Sequence, residues 1–211
     1  MDPVPDRPGP RPDDSMSELF RPGFAGSDEL RALGMRVGDN VQISRTATVI
    51  GLENIEIGSN VRIDAYCVIM ANGPIKLGSY IHIAGQSVLI GGGGIVLEDF
   101  AGLSHGVKVY SRTDDYSGAC LTNPTVPKRY VRRIDGPVHL GRHVIVGAGS
   151  VILPDVTIGE GCAIGALSFV HKSLEPWGIY VGAPARRIKP RSRALLEMEA
   201  SLAAHRLLNV A

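Results

Sequence analysis

Residues 55–90 read IEIGSNVRIDAYCVIMANGPIKLGSYIHIAGQSVLI, and the pattern of this stretch repeats every 20 residues. Followed outward, the repeat places aliphatic residues at spacings of six, six and eight, three times in succession, and after an interruption at a constant spacing of six. A fixed internal period indicates a solenoid, in which each turn of the chain buries its apolar residues against the next turn. The repeating residues are Val37, Ile43, Val49, Ile57, Ile63, Ile69, Leu77, Ile83, Leu89, Leu97, Leu103, Val109, Leu140, Val146, Ile152, Ile158, Ile164 and Val170.

The spacing of six excludes a helix and predicts short strands joined by tight corners. An apolar residue at every sixth position does not stay on one face of a helix with about 3.6 residues per turn. A second inward position, four residues further on, holds mostly small side chains, including Ala47, Cys67, Ser87 and Cys162. Such groups suit a narrow, three-sided interior. Glycines follow the corners, where close approach or a positive φ is expected; they are Gly58, Gly78, Gly141, Gly147, Gly159 and Gly165.

The two ends of the chain depart from the repeat. Residues 1–26 mix proline, charge and glycine without a period, which predicts a disordered tail. Residues 27–36 predict a short N-terminal helix that Ser27 caps and Gly34 ends. Residues 190–211 have helical spacing and predict a C-terminal helix. The all-β solenoid is therefore expected over residues 37–189, with an excursion loop at residues 110–137.

Composition narrows the classes of partner. A formal net charge of +1 gives no electrostatic reason to expect a nucleic acid or a membrane surface. No apolar run approaches the roughly 18 residues of a spanning helix, and we expect a cytoplasmic protein. The three cysteines, Cys67, Cys120 and Cys162, are an odd number without metal-type spacing, so free thiols are expected.

The hexads follow the pattern [LIV]-[GAED]-x-x-[small]-x, which resembles the hexapeptide repeat of the left-handed parallel β-helix acyltransferases over about residues 35–190. VGAPARRIK (181–189) resembles the ending of the maltose, galactoside and xenobiotic O-acetyltransferases. LSHGVKVYSRTDDYSG (103–118), LTNPTVP (121–127), GALS (165–168) and KSLEPWGIYVGAPA (172–185) are similar to the dTDP-4-amino-4,6-dideoxyglucose acyltransferase branch. The resemblance implies a left-handed β-helix and a homotrimer that uses acetyl-CoA, with no metal expected.

The excursion loop is where a function is expected, because the coils of a solenoid are otherwise interchangeable scaffolding. In the resembling O-acetyltransferases a catalytic histidine lies at the loop position that Asp114 occupies here. The proton acceptor is thus open between His105, whose side chain has a suitable pKa, and the pair Asp114 and Asp115. A surface histidine and a solvated turn are the ordinary alternatives for these residues.

The missing loop histidine fits an amine acceptor. An alkoxide has to be generated by a base, whereas a neutral sugar amine needs only correct placement and a route for its proton. The sequence therefore predicts N-acetylation of a nucleotide-linked 4-amino-4,6-dideoxy sugar for O-antigen or exopolysaccharide synthesis. One alternative is O-acetylation of a sugar hydroxyl with His105 as base. Another is a metal-binding β-helix of the γ-carbonic anhydrase type, with His105, His139 and His143 as ligands.

The resemblance also implies where coenzyme A binds. In the family, the pantetheine arm lies in a groove between subunits along the Gly-Ala corners, and basic residues of the closing coil meet the nucleotide phosphates. The matching residues here are Gly147, Ala148, Ala166, Lys172, Arg186 and Lys189. The run Gly91–Gly94 lacks the Gly-Lys-Ser/Thr of a phosphate loop and is expected to form a corner or the floor of a groove.

Overall fold

The hexads form short parallel strands that stack in three walls, as a computed structural model describing residues 23–208 shows. The predicted parallel β-helix is therefore confirmed, although its parallel strands have two to four residues, whereas a spacing of six with tight corners predicts four or five. Residues 1–22, which hold most of the predicted tail, and residues 209–211 lie outside the described part of the chain.

Each coil passes through the three walls in the same order. The first wall contains β1 (Phe24–Gly26), β3 (Val41–Ser44), β6 (Val61–Ile63), β9 (His82–Ile83), β12 (Gly102–Leu103), β17 (Ile145–Val146), β20 (Ala163–Ile164), β22 (Gly178–Val181) and β23 (Arg186–Pro190). The second wall contains β4 (Thr48–Ile50), β7 (Val68–Met70), β10 (Val88–Ile90), β13 (Lys108–Tyr110), β18 (Val151–Ile152) and β21 (Phe169–Val170). The third wall contains β2 (Arg36–Val37), β5 (Ile55–Ile57), β8 (Ile75–Leu77), β11 (Ile95–Leu97), β16 (Val138–Leu140) and β19 (Val156–Ile158).

Three columns of corners join these walls along the prism. The first corner connects the first wall to the second and includes residues 64–67, 84–87, 104–107, 147–150 and 165–168. The second corner connects the second wall to the third and includes residues 71–74, 91–94 and 111–137, so the excursion is one enlarged corner. The third corner returns to the first wall through residues 58–60, 78–81, 98–101 and 141–144.

The interior is filled by the aliphatic residues that the repeat predicts. All of them are buried except Val37 and Val49 in the first coil, which are half-buried. Burying one such side chain fully contributes about 1.5–3 kcal/mol relative to leaving it exposed. Cys67 and Cys162 are free thiols with no exposed surface, and burial raises the pKa of each. The small inward residues thus have the structural role expected of them.

The glycines of the corners are required by close approach rather than by a positive φ. A Cβ on Gly58 would lie 2.7 Å from the backbone of Gly78 in the next coil. Positive φ angles occur instead two residues later, where Asn60, Tyr80 and His143 adopt them with full side chains. The third corner therefore tolerates a left-handed residue with a side chain but leaves no room for a side chain at the glycine two positions before it.

The N-terminal end differs from the predicted tail and helix cap. β1 pairs antiparallel with β3, because the first wall otherwise ends in unpaired backbone groups, and the Arg45–Glu29 ion pair holds this segment in place. α1 spans Ser27–Ala32, and Gly26 occupies its N-cap position without a side-chain hydrogen bond. Ser27 does not cap the helix; its Oγ accepts a hydrogen bond from the Val41 amide at 2.9 Å.

The C-terminal end closes the prism and then leaves it. β23 turns back antiparallel to β22 at the end of the first wall, and α2 spans Leu195–Leu208. Glu199 anchors this helix to the third corner by accepting hydrogen bonds from Arg142 and from His143, the latter at 2.8 Å. Within residues 23–208, no helix is both long and apolar enough to cross a membrane.

Candidate functional site

The excursion starts and ends as a two-stranded hairpin. β14 (Arg112–Asp114) pairs antiparallel with β15 (Arg133–Asp135), so that Asp114 lies opposite Arg133. Arg112 and Asp135 face each other at the base of this hairpin and form a bidentate ion pair. This pair fixes the register of the two strands, and the register determines where Asp114 leaves the solenoid.

The glycine run beneath the hairpin forms a corner, which is one of the two roles predicted for it. The Gly93 amide donates to Ser111 Oγ at 3.0 Å, and a Cβ on Gly93 would lie only 2.4 Å from the Ser111 carbonyl oxygen. A Cβ on Gly92 would lie 2.5 Å from Nε of Arg112. The run therefore lets the hairpin base sit directly on the preceding coil.

Asp115 holds the loop together. Its side chain is 2% exposed and accepts hydrogen bonds from the Ser117 amide at 2.8 Å and from Arg132 Nη2 at 2.6 Å. The contacts with Ser117, followed by the charge of Arg132, lower the pKa of Asp115 from 3.8 to about 2. Because these partners belong to the loop itself, the geometry assigns Asp115 to loop structure rather than to contact with a substrate.

Asp114 differs from Asp115 because its carboxylate is not bound by other groups of the described residues. It is half-buried at the end of β14, and within residues 23–208 its carboxylate makes no hydrogen bond or ion pair. Of the two aspartates predicted as site residues, Asp114 is therefore the one that is available to bind a substrate amine or accept its proton.

His105 lies on the first corner, where its exposed ring lines a cavity of about 620 Å³. Its backbone carbonyl accepts a hydrogen bond from the Gly149 amide at 2.9 Å, which fixes its position beside the next coil. The cavity is lined by Phe24, Ser44, Arg62, Asp64, Ala65, Tyr66, Gly85, Gln86 and His105.

His105 and Asp114 do not meet within one chain. β13 separates them, with His105 at the first corner and Asp114 at the second, on opposite edges of the second wall. Asp114 therefore does not orient the His105 ring inside a single subunit. A shared site requires the edges of two subunits.

The predicted coenzyme A residues divide into two groups. Gly147, Ala148 and Ala166 continue the same first corner beyond His105, and both alanines are exposed. The Leu167 amide donates to the Ala148 carbonyl at 2.8 Å, so these Gly-Ala corners stack directly. The three basic residues are exposed but do not share this column: Lys172 follows β21 at the second corner, and Arg186 and Lys189 lie on β23.

Sequence reasoning missed a polar group on the outer face of the first wall. Asp64 accepts hydrogen bonds from Arg62 Nε and from His82 Nε2, each at 2.7 Å. Although burial acts to raise it, the pKa of Asp64 is lowered by these hydrogen bonds and by the charge of Arg62. The sequence did contain an indication of this polar group, because Arg62 and His82 occupy the same position of consecutive 20-residue coils.

The three histidines of the metal alternative lie in different parts of the prism. His139 on the third wall donates to Glu98 at 2.7 Å, and His143 on the third corner donates to Glu199. His105 lies on the first corner, so these rings do not converge on one point. Among the described residues, no three His, Cys, Asp or Glu side chains form a group that fits a metal ion.

Comparison with known proteins identifies a matching family and a similar enzyme. The family "Bacterial transferase hexapeptide (six repeats)" matches residues 137–172. The dTDP-4-amino-4,6-dideoxy-D-glucose acyltransferase of Escherichia coli is 47% identical over 173 residues, which cover 81% of this chain and 90% of that protein. The match therefore includes nearly the whole solenoid and the excursion.

Solved structures with the same fold include AntD, an N-acyltransferase from Bacillus cereus. Its complex with dTDP and 3-hydroxybutyryl-CoA superposes with a TM-score of 0.83 at 44% identity, covering 87% of this chain and 97% of that one. Another AntD structure holds dTDP-4-amino-4,6-dideoxyglucose and coenzyme A. A maltose O-acetyltransferase from Clostridium difficile 630, at 23% identity and a TM-score of 0.53, covering 88% of this chain and 80% of its own, shares the fold. The solenoid is thus the predicted left-handed parallel β-helix.

Proposed function

The chain belongs to the hexapeptide-repeat acyltransferases, in the family of dTDP-4-amino-4,6-dideoxy-D-glucose acyltransferases, and on this premise we propose that it N-acylates the 4-amino group of that nucleotide sugar. The observation that carries the proposal is 47% identity extending over 90% of the E. coli enzyme. The structures of AntD with the amino sugar and with an acyl-CoA support the same pair of substrates.

The chemistry is the transfer of an acyl group from sulfur to nitrogen. The neutral amine attacks the thioester carbonyl, a C–N bond forms, and collapse of the tetrahedral intermediate breaks the C–S bond. The amine proton passes to a nearby acceptor and finally to the departing thiolate of coenzyme A. We propose Asp114 as the group that orients the amine and takes up its proton, and His105 as a second group at the same site.

The choice of an amine over a hydroxyl is supported by the loop. Asp114 stands where the resembling O-acetyltransferases have a histidine, and a carboxylate suits a cationic or neutral amine better than it suits activation of a weakly acidic hydroxyl. The AntD structures include variants at a serine and at an aspartate ten residues later. Ser104 and Asp114 have the same residue types and the same spacing.

Acetyl-CoA is the proposed donor. The exposed corner alanines Ala148 and Ala166 leave a shallow, side-chain-poor track along which a pantetheine arm fits, next to Gly147. Lys172, Arg186 and Lys189 are the proposed partners of the coenzyme A phosphates. The 3-hydroxybutyryl-CoA bound to AntD makes a longer acyl group the alternative to acetyl.

The proposal includes a homotrimer. His105 and Asp114 lie on opposite edges of the second wall, and the outer face of this wall is largely apolar. Its outward residues include Val68, Met70, Val88, Ile90, Tyr110, Val151 and Phe169. A neighbouring subunit on this face would bring the edges of two chains into one site. A cytoplasmic location and a role in surface polysaccharide synthesis belong to the same proposal, since acyl-CoA and nucleotide sugars are cytoplasmic metabolites.

Measuring coenzyme A release with three acceptors tests the function. With acetyl-CoA present, we expect turnover with dTDP-4-amino-4,6-dideoxyglucose, and little with its 4-hydroxy counterpart or with the free amino sugar. Repeating the assay with 3-hydroxybutyryl-CoA identifies the preferred acyl group. Preference for the hydroxy sugar would replace N-acylation by O-acetylation, and absence of turnover with both dTDP sugars would overturn the proposal.

A further inference from the structure

The outer face of the first wall changes character along the prism. In register from coil to coil, its outward positions are polar or basic at Gln42, Arg62 and His82 and carry no side chain at Gly102. Beyond Gly102 they become apolar at Ile145, Ala163 and Ile179. The apolar half adjoins the Gly-Ala corners proposed for the acyl donor. The polar half adjoins the 620 Å³ cavity. Since the proposed acyl donor uses the other half, the polar half is available to the acceptor.

The polar half contains the guanidinium of Arg62, whose position is fixed but whose hydrogen-bond donors are not all used. Nε of Arg62 donates to Asp64 at 2.7 Å, and the guanidinium lies 5.0 Å above the centre of the Phe24 ring. His82 donates to the second oxygen of the same carboxylate, so Asp64 is fixed from both sides. Within residues 23–208, the terminal Nη1 and Nη2 groups of Arg62 donate no hydrogen bond. A fork of free N–H donors is the arrangement that binds phosphate oxygens well.

The first corner supplies further groups around this guanidinium. Tyr66 has φ +60°, is 64% exposed and lines the cavity, so its ring is accessible to a planar ligand. Gln86 occupies the same position one coil further on, and His105 follows in the next coil. An anion on Arg62 would thus lie two coils from His105, on the side away from the Gly-Ala corners.

We propose that Arg62, positioned by Asp64 and His82, binds the diphosphate of the nucleotide-linked acceptor, and that Tyr66 contacts its base. The inference rests on the proposed function and deepens it, because it orders the two substrates along one face. The acceptor lies on the coils before Gly102, and the acyl donor lies on the coils after it. The amine and the thioester then meet beside His105, where the face has no side chain.

Isothermal titration of the full-length protein with dTDP, thymidine and coenzyme A tests this assignment. Arg62→Gln should weaken dTDP binding by about tenfold or more, the scale of a lost hydrogen bond to a charged group. Thymidine and coenzyme A affinities should stay within about twofold, which also reports that the variant is folded. Arg62→Lys keeps the charge without the fork and should retain part of the dTDP affinity.

Arg36→Gln is the matched control, because Arg36 is an exposed, outward arginine on a neighbouring wall. It should leave all three affinities unchanged. If Arg62→Gln binds dTDP as the wild type does, and its KM for the nucleotide sugar is unchanged, the diphosphate site is elsewhere and the proposed function still stands. If the wild type binds coenzyme A but neither binds dTDP nor acylates a dTDP sugar, both the proposed function and this assignment are wrong.

Discussion

At the scale of single residues, neighbours in sequence have different roles. The carboxylate of Asp115 accepts hydrogen bonds from Ser117 and Arg132. The carboxylate of Asp114, at the end of a strand, makes no such bond within residues 23–208. The two residues also differ in burial, because Asp115, which follows β14, is buried, whereas Asp114 at the end of β14 is only half-buried. A motif of two adjacent aspartates therefore contains one candidate for chemistry and one structural anchor.

The roles of Asp114 and His105 are separated by conservative substitution. Asp114→Asn keeps the size of the side chain and removes its charge, and His105→Asn keeps a polar side chain but removes the imidazole. Replacing a group that accepts the amine proton should lower the turnover of the enzyme roughly 10²-fold or more. Steady-state measurement of kcat and KM for both substrates checks this. A residue that only positions the sugar should instead raise KM for the sugar. Unchanged kcat and KM in both variants would remove the two residues from the mechanism.

At the scale of elements, the excursion is an enlarged corner that polar contacts hold in a defined conformation. The Arg112–Asp135 pair closes its base, the glycine run lets that base rest on the coil below, and Asp115 organises its interior. These contacts explain how a segment of irregular chain holds Asp114 in a defined position. The loop is stabilised mainly by polar contacts, unlike the coils, which are stabilised by buried aliphatic residues.

Because the pKa of Asp115 in the folded loop is about 2, below its ordinary 3.8, the ionised carboxylate stabilises the folded state. The contribution is complete above pH 3.8 and disappears as the pH falls from 3.8 towards 2. We expect the difference in free energy of unfolding between the wild type and Asp115→Asn to be larger at pH 7 than at pH 3, measured by urea denaturation. Arg132→Gln should remove part of this dependence. An equal difference at both pH values would contradict the assignment.

The coils could be predicted from the sequence because their register is periodic. Ile63, Leu89 and Leu140 are inward in the structure as the hexads require, since each coil repeats the environment of the previous one. The partner of Asp115 could not be predicted, because Arg132 lies 17 residues away in an aperiodic segment. β1 was also missed, since its partner is the open edge of the first wall. Arg62 and His82 could have been found by comparing outward positions between coils.

At the scale of the whole molecule, the separation of His105 and Asp114 decides how many chains make one site. The two residues lie on opposite edges of the second wall, so neither edge carries both groups. If packing on the apolar second wall brings the first corner of one chain against the second corner of the next, a cyclic trimer has one site at each of its three seams. Sedimentation should then give a mass three times the 22.4 kDa of the chain.

Mixed trimers test the shared site directly. In a trimer built from His105→Asn and Asp114→Asn chains, a seam is intact when the chain supplying His105 carries only the Asp114 substitution and its neighbour carries only the His105 substitution. Every mixed trimer, with two chains of one variant and one of the other, has one intact seam out of three. We therefore expect coexpressed variants, purified through two different affinity tags so that only mixed trimers remain, to recover turnover towards a third of the wild-type value, above either variant alone. If the site lay within one chain, every site would carry a lesion and no recovery would occur, because neither chain has both residues.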